Sequence, residues 1–270
     1  MSRSGGVLTM TDLKRGSEQA LVLAGRIAER CGLLLDVLYA LGLRGLSLRE
    51  AVPALQRLDQ RITSIDRSVR SLLGEHFPHW DHVPGPVIDV DSAPVALIRR
   101  AAQLNPPIVV LSSSWNDGRG ADRRRGVAAI ATIQAPVLIT GSNSVDRVET
   151  AVLLTVATPP QALVASARDW AHWFRAVGDG SVFTREPSLD VVVVEEESPQ
   201  EAIAALVRHE PSLVLIPKPA MDGPRGRVMR TAVALFLEQH RAHVLILPGS
   251  VPPRLRPGTE LDLALVAAGA

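Results

Sequence analysis

The chain has 270 residues, of which 46% are hydrophobic, and its 29 basic and 28 acidic side chains leave a net charge of +1. At roughly 100–200 residues per domain this is one large domain or two small ones, and the apolar share excludes global disorder. A charge so balanced leaves no electrostatic footprint for nonspecific nucleic-acid binding.

Short apolar runs alternate with helical patterns along the chain. VLTMT at 7–11 reads as a strand and passes into a helical stretch ending GRIAER. LLLDVLYAL at 33–41 is a second strand. A long excursion, 42–82, follows; Ser47 with Glu50 predicts a capping box within it. VIDV at 87–90 precedes a helix started by Pro94, and IVVLSS at 108–113 and PVLIT at 136–140 continue the series. A polar stretch, Gly141–Glu149, separates these from AVLLTVA at 151–157. Then come a helix over 161–176, DVVVV at 190–194, SLVLIP at 212–217 and HVLIL at 243–247. Before 199, Ser198 with Glu201 predicts a second capping box, with Pro199 at the first helical position, where its missing N–H costs nothing. The runs are continuous and not alternating, as in parallel strands buried on both faces. Strand–helix alternation predicts an α/β fold with right-handed crossovers.

The chain repeats itself. PVALIRRAAQLNPPIVVL at 94–111 matches PQEAIAALVRHEPSLVLI at 199–216 without a gap, so that Pro94 aligns with Pro199, Ile98 with Ile203 and Val109 with Val214. APVLIT at 135–140 matches AHVLIL at 242–247, and VLTMTD at 7–12 matches VLLTVA at 152–157. Three ordered blocks in two halves point to duplication. Two domains are expected, 1–145 and 146–270. The second is about 40 residues shorter and lacks the excursion 42–82.

One unit resembles the universal stress protein family. VLTMTDLKRGSEQALVLAGRIAER resembles that family's opening segment, IDVDSAPVALIRRAAQLNPPIVVLSSS its third strand, next helix and fourth strand, and GVAAIATIQAPVLIT its closing helix and strand. The resemblance covers most of 5–140 and, more weakly, 150–248. It implies two tandem doubly wound, Rossmann-like parallel sheets of five-stranded type with helices on both faces. It also implies pairing of the two units inside the chain, or a homodimer. Many members bind ATP on glycines after the fourth strand, because residues without Cβ let backbone N–H groups approach phosphate at a helix N-terminus. The resemblance places Asp12 as the strand-one acid that contacts adenosine, and Ser112, Ser113 and Gly126 on the loop and the helix opening. Those four residues are the candidate nucleotide site. Ser112 and Trp115 stand where glycines are expected, and Val127 replaces the hydroxyl residue, so the loop of unit one is degraded. Unit two departs further: its loop begins Pro217-Lys218-Pro219-Ala220, Ala157 replaces the acid and Arg230 the last glycine. A proline donates no N–H, so this loop lacks the family's phosphate cradle.

The other constellations favour structure over chemistry. His76, His79 and His82, with Asp81, have ligand-like spacing, but Pro78, Pro84 and Gly85 predict irregular chain and no metal is expected. His240 and His243 read as cations tolerated near a helix C-terminus, and Glu195–Glu197 as acids before a helix start. No GxxxxGK[ST], GxGxxG or GxSxG motif occurs, so no catalytic residues are assigned and no enzyme is expected. Trp170, Trp173 and Phe174 share a helix face, for the core or for an interface between the units or with a second chain. Cys31 is the sole cysteine, which excludes an internal disulfide and points to a reducing compartment. The opening MSRSGG lacks the apolar segment of a signal peptide, and no run reaches the ~18 apolar residues of a membrane span. The expectation is a soluble, cytoplasmic stress-response protein acting through protein contacts or small-ligand sensing. No bound cofactor is expected, ATP in domain 1 being the candidate ligand. The rival reading is an ATP-binding member, or a nucleotide-dependent hydrolase or transferase, using the domain 1 crevice.

Overall fold

Nine strands stand where the nine apolar runs were. The computed structural model describes residues 6–43, 57–115, 121–141, 150–179, 188–194, 198–239, 242–248 and 255. In the first half the order is β1 (Val7–Met10), α1 (Arg15–Arg30), β2 (Leu35–Ala40), α2 (Leu58–His76), β3 (Pro86–Asp89), α3 (Ala93–Leu104), β4 (Val109–Ser112), α4 (Ala121–Ala131) and β5 (Val137–Thr140). In the second it is β6 (Thr150–Thr155), α5 (Gln161–Asp179), β7 (Ser188–Val193), α6 (Pro199–Arg208), β8 (Leu213–Pro217), a 3-10 turn over Lys218–Met221, α7 (Gly223–Gln239) and β9 (His243–Leu247).

The two halves join edge to edge. They form one nine-stranded sheet, ordered β3-β2-β1-β4-β5-β9-β8-β6-β7. Every pair is parallel except the seam, where β5 and β9 run antiparallel with Val137 opposite Ile246 and Ile139 opposite Val244. The sheet is therefore continuous, with a reversal of strand direction at its centre. The expected boundary between 145 and 146 lies outside the described residues.

The shorter second half solves a pairing problem. By the repeat, β7 corresponds to β3, since each leads into a helix with proline in its first turn. In the sheet, however, β7 lies directly beside β6, the place that β2 holds beside β1. Among the described residues the second half has no counterpart of β2 and α2. The open edge of β6 is therefore taken by the next strand, because a strand edge needs partners for its N–H and C=O groups.

Alternate strand residues feed two apolar layers. Leu8, Leu111, Ile139, Leu154, Ile216 and Ile246 face the layer of α3, α4, α6 and α7. Val7, Val110, Leu138, Leu153, Leu215 and Leu245 face the layer of α1, α2 and α5. Both layers cross the seam. This explains the unbroken apolar runs of the inner strands, which are buried on both faces, whereas the edge strands β3 and β7 are only partly covered and leave Val87 and Val191 exposed.

Sequence details lock the helices. Ile65, Val69 and Leu73 form the buried stripe of α2. Phe77 follows them and lies so close to Gly25 of α1 that a Cβ there would sit 2.5 Å from its ring. Arg100 of α3 grips Asp36 of β2 through two bonds, 3.0 and 2.6 Å, and Arg99 bridges Asp89 and Asp91. Ser198 is the N-cap of α6 with extended backbone, yet its hydroxyl turns to Gln200 Oε1 at 3.2 Å, so the expected capping box does not close. The Ser47–Glu50 box and Glu195–Glu197 lie outside the described residues.

The aromatic trio of α5 serves both expected roles. Trp170, Trp173 and Phe174 are buried in the layer that also holds Leu21, Ala24 and Ile27 of α1, so they pack the two halves together. Trp173 Nε1 donates to the carbonyl of Leu255, and Arg30 to that of Ala176. His79 and Trp80 are drawn to Glu29 Oε1, the Trp80 bond being 3.0 Å, and Phe77 stacks on Trp80 at 4.4 Å. The histidine loop is thus pinned on α1. Among the described residues no three His, Cys, Asp or Glu side chains are grouped to hold a metal. Among them, too, no helix is long and apolar enough to cross a membrane.

Candidate functional site

An open α/β sheet binds ligands at the carboxyl ends of its strands where the chain order reverses. In the first half that point lies between β1 and β4. Leu8 pairs with Val109 and Thr9 with Val110, so Asp12 and Ser113 emerge side by side.

The turn from β1 into α1 is a closed polar knot. Ser17 Oγ accepts from Thr11 Oγ1 at 3.1 Å and from the Asp12 N–H at 3.3 Å, and donates to the Lys14 carbonyl at 2.9 Å. The Leu13 N–H donates to Thr11 Oγ1 at 3.0 Å. Leu13 itself has φ 61°, a left-handed conformation uncommon for a side chain of this size. Asp12 turns onto its own loop: Oδ1 accepts the Lys14 N–H at 3.0 Å and Oδ2 lies 3.5 Å from Lys14 Nζ.

The loop after β4 is equally engaged. Ser112 Oγ and Ser114 Oγ share a hydrogen bond of 3.0 Å. The Ser113 N–H donates to the Thr140 carbonyl at 3.0 Å, and the Trp115 N–H to the Ser112 carbonyl at 3.1 Å. A Cβ on Gly16 would lie 3.2 Å from Ser114 Oγ, so this loop closes on the first turn of α1. The Trp115 ring is 7% exposed and packs into the apolar layer with Val127 and Ile130. Thr140 Oγ1 is buried without a hydrogen-bond partner beneath the crevice.

Of the four candidate residues, Asp12, Ser112 and Ser113 converge here. Gly126 does not hold the place assigned to it. Helix α4 already begins at Ala121, so Gly126 is its sixth residue, beyond the free N–H groups of the first turn. Among the described loop residues, the Ser113 and Trp115 N–H groups are bonded internally and the Trp115 ring is buried.

The second half holds a crevice that sequence reasoning missed. It opens between β6 and β8 and encloses about 600 Å³. Pro159, Pro160, Pro217, Pro219 and Pro248 line it, with Leu163 and Leu247. Its prolines were legible in the sequence; that they surround an apolar crevice is a consequence of packing. Beyond its rim, Lys218 Nζ is buried without a hydrogen-bond partner. Burial lowers the pKa of that amine to about 8, with Asp222 opposing the shift. Cys31 donates its thiol to the Leu255 carbonyl at 3.3 Å, and burial raises its pKa to about 11, so it is no nucleophile.

No protein-family model matches the chain, and no curated protein matches it. Solved structures do. A universal stress protein from Archaeoglobus fulgidus aligns over 90% of this chain and 96% of its own, with TM-score 0.52 and 10% identity. A Pseudomonas aeruginosa PAO1 protein of unknown function aligns over 100% and 99%, with TM-score 0.51 and 10% identity. A protein from P. aeruginosa UCBPP-PA14, described as a universal stress protein, aligns over 91% and 94%, with TM-score 0.52 and 13% identity. Identity this low speaks for backbone arrangement alone. Together with the strand order and the layers on both faces, it establishes that the chain has the universal stress protein fold.

Proposed function

We propose that the chain is a cytoplasmic universal-stress-type protein. It acts in stress response through protein contacts or small-ligand sensing, and it is not an enzyme. The phosphate cradle of its first half is degraded, so nucleotide is not its working ligand.

One observation carries this reading: the Trp115 side chain is buried in the core at the place where close backbone approach to phosphate would be needed. The ring holds this stretch of the loop down on Val127 and Ile130 through apolar contacts worth on the order of several kcal/mol, which opposes the free loop a phosphate cradle needs. The chemistry of the crevice points the same way. An enzyme needs a convergent base, nucleophile or oxyanion donor. Asp12 instead caps its own loop, and Ser112 bonds to another serine.

Two measurements test the reading. Natively purified protein is denatured, and the released small molecules are identified by mass spectrometry. Stoichiometric ATP would overturn the proposal. In the second, Trp115→Gly is titrated with ATP alongside the parent chain, with folding checked by circular dichroism. Affinity should rise at least about tenfold, roughly 1.4 kcal/mol. A fall in affinity means that the ring belongs to a binding site and does not obstruct one.

A further inference from the structure

We infer that the crevice of the second half is a binding site for a neutral, apolar small molecule. The inference stands apart from the nucleotide reading of the first half and does not require it.

The two crevices differ position by position. In the first, the space under the opening turn of α1 is lined by hydroxyls, among them Thr11, Ser112 and Thr140. In the repeat register, Thr11 corresponds to Val156, Ser112 to Pro217 and Thr140 to Leu247. All three replacements line the second cavity. Asp12 corresponds to Ala157, which lines it as well. At every one of these places a hydrogen-bonding side chain has given way to an apolar one. The same point of the fold has therefore exchanged one solvation preference for the other.

The backbone has been silenced too. Five lining prolines contribute no N–H. The Pro160 carbonyl takes the Leu163 N–H at 2.9 Å, so the opening turn of α5 offers less to an anion than a free helix start would. The Thr155 hydroxyl donates to the Ala157 carbonyl at 2.6 Å. No charged side chain is among the described lining residues. An anion or a cation would lose its hydration here without compensation, whereas an apolar molecule would lose none. The volume, about 600 Å³, lies inside the roughly 300–1,000 Å³ of small-molecule sites.

The test uses the full chain and the neutral fluorophore N-phenyl-1-naphthylamine. Ala162 lines the cavity at the second position of α5, and its side chain is exposed. Ala162→Asp puts a carboxylate into the crevice while favouring the helix dipole, so the fold should keep its thermal midpoint. Ala162→Trp fills the space with a ring. Val95→Asp, on the exposed face of α3, is the control. The parent chain should bind the probe saturably, one to one, and excess ATP should not displace it. Each Ala162 variant should bind at least about tenfold more weakly, and the control within about twofold of the parent. The inference is overturned by an absence of saturable binding, by full affinity in either Ala162 variant, by loss in Val95→Asp, or by displacement with ATP.

Discussion

His243 opens β9 with its imidazole 2% exposed, and Nδ1 accepts the Gly141 N–H at 3.1 Å across the seam. An acceptor nitrogen must be unprotonated, and burial lowers its pKa from 6.5 to about 4. The sequence reading, a tolerated cation near a helix end, is corrected: this is a buried neutral ring, with Phe174 at 5.3 Å. The folded state takes up the proton less readily than the unfolded chain. Stability from this group is therefore whole above pH 6.5 and is lost as pH falls toward 4, by about 3 kcal/mol in all. Urea unfolding between pH 7 and 4 should show this loss in the parent and not in His243→Gln; equal slopes would refute it. Lys218 has the same sign of shift, from 10.5 to about 8. Its amine is charged at pH 7 and is unfavourably placed below about pH 8, with the cost fading as pH rises toward 10.5. Lys218→Met should raise stability at pH 7 by on the order of 1 kcal/mol, the full shift being discounted because the residue is only half-buried. Chemical denaturation at pH 7 and 10 checks this, since the gain should shrink at the higher pH.

At the scale of elements, the strands were the most legible feature. Continuous runs of Val, Leu and Ile leave no polar face to expose, and that alone calls for cover on both sides. Helix openings were harder. Gly126 read as part of a helix opening because the family resemblance placed it there. The preceding ADRRR is nevertheless good helical sequence, and the helix extends back through it to Ala121. At Ser198 the backbone is extended as an N-cap requires, but the side-chain oxygen accepts no N–H of the first turn and the hydroxyl donates to Gln200. Aromatic positions on α5 were legible as one face, but only packing decided what that face meets. Trp170 is wholly buried between the halves. Trp170→Ala should cost about 3–5 kcal/mol, read as a lower urea midpoint with unchanged slope; a loss below about 1 kcal/mol would place the ring outside the load of the core.

Across the whole molecule the seam governs behaviour. Both apolar layers continue through it, and α1 of one half packs on α5 of the other. Heat or urea should therefore unfold the chain in one transition, with far-ultraviolet and near-ultraviolet dichroism coinciding; two resolved transitions would show halves that fold separately. The seam also uses up the β5 and β9 edges, so a second copy of the chain has no access to them. The amino-acid order alone determined the strand–helix alternation and the α/β class, because both are written in local periodicity. Only the tertiary structure decided that the halves share a sheet, that β7 takes the place of β2, that His243 is neutral and that the second crevice is hollow. Those outcomes depend on which distant surfaces meet, and the free energy of burial is set by the meeting and not by the segment.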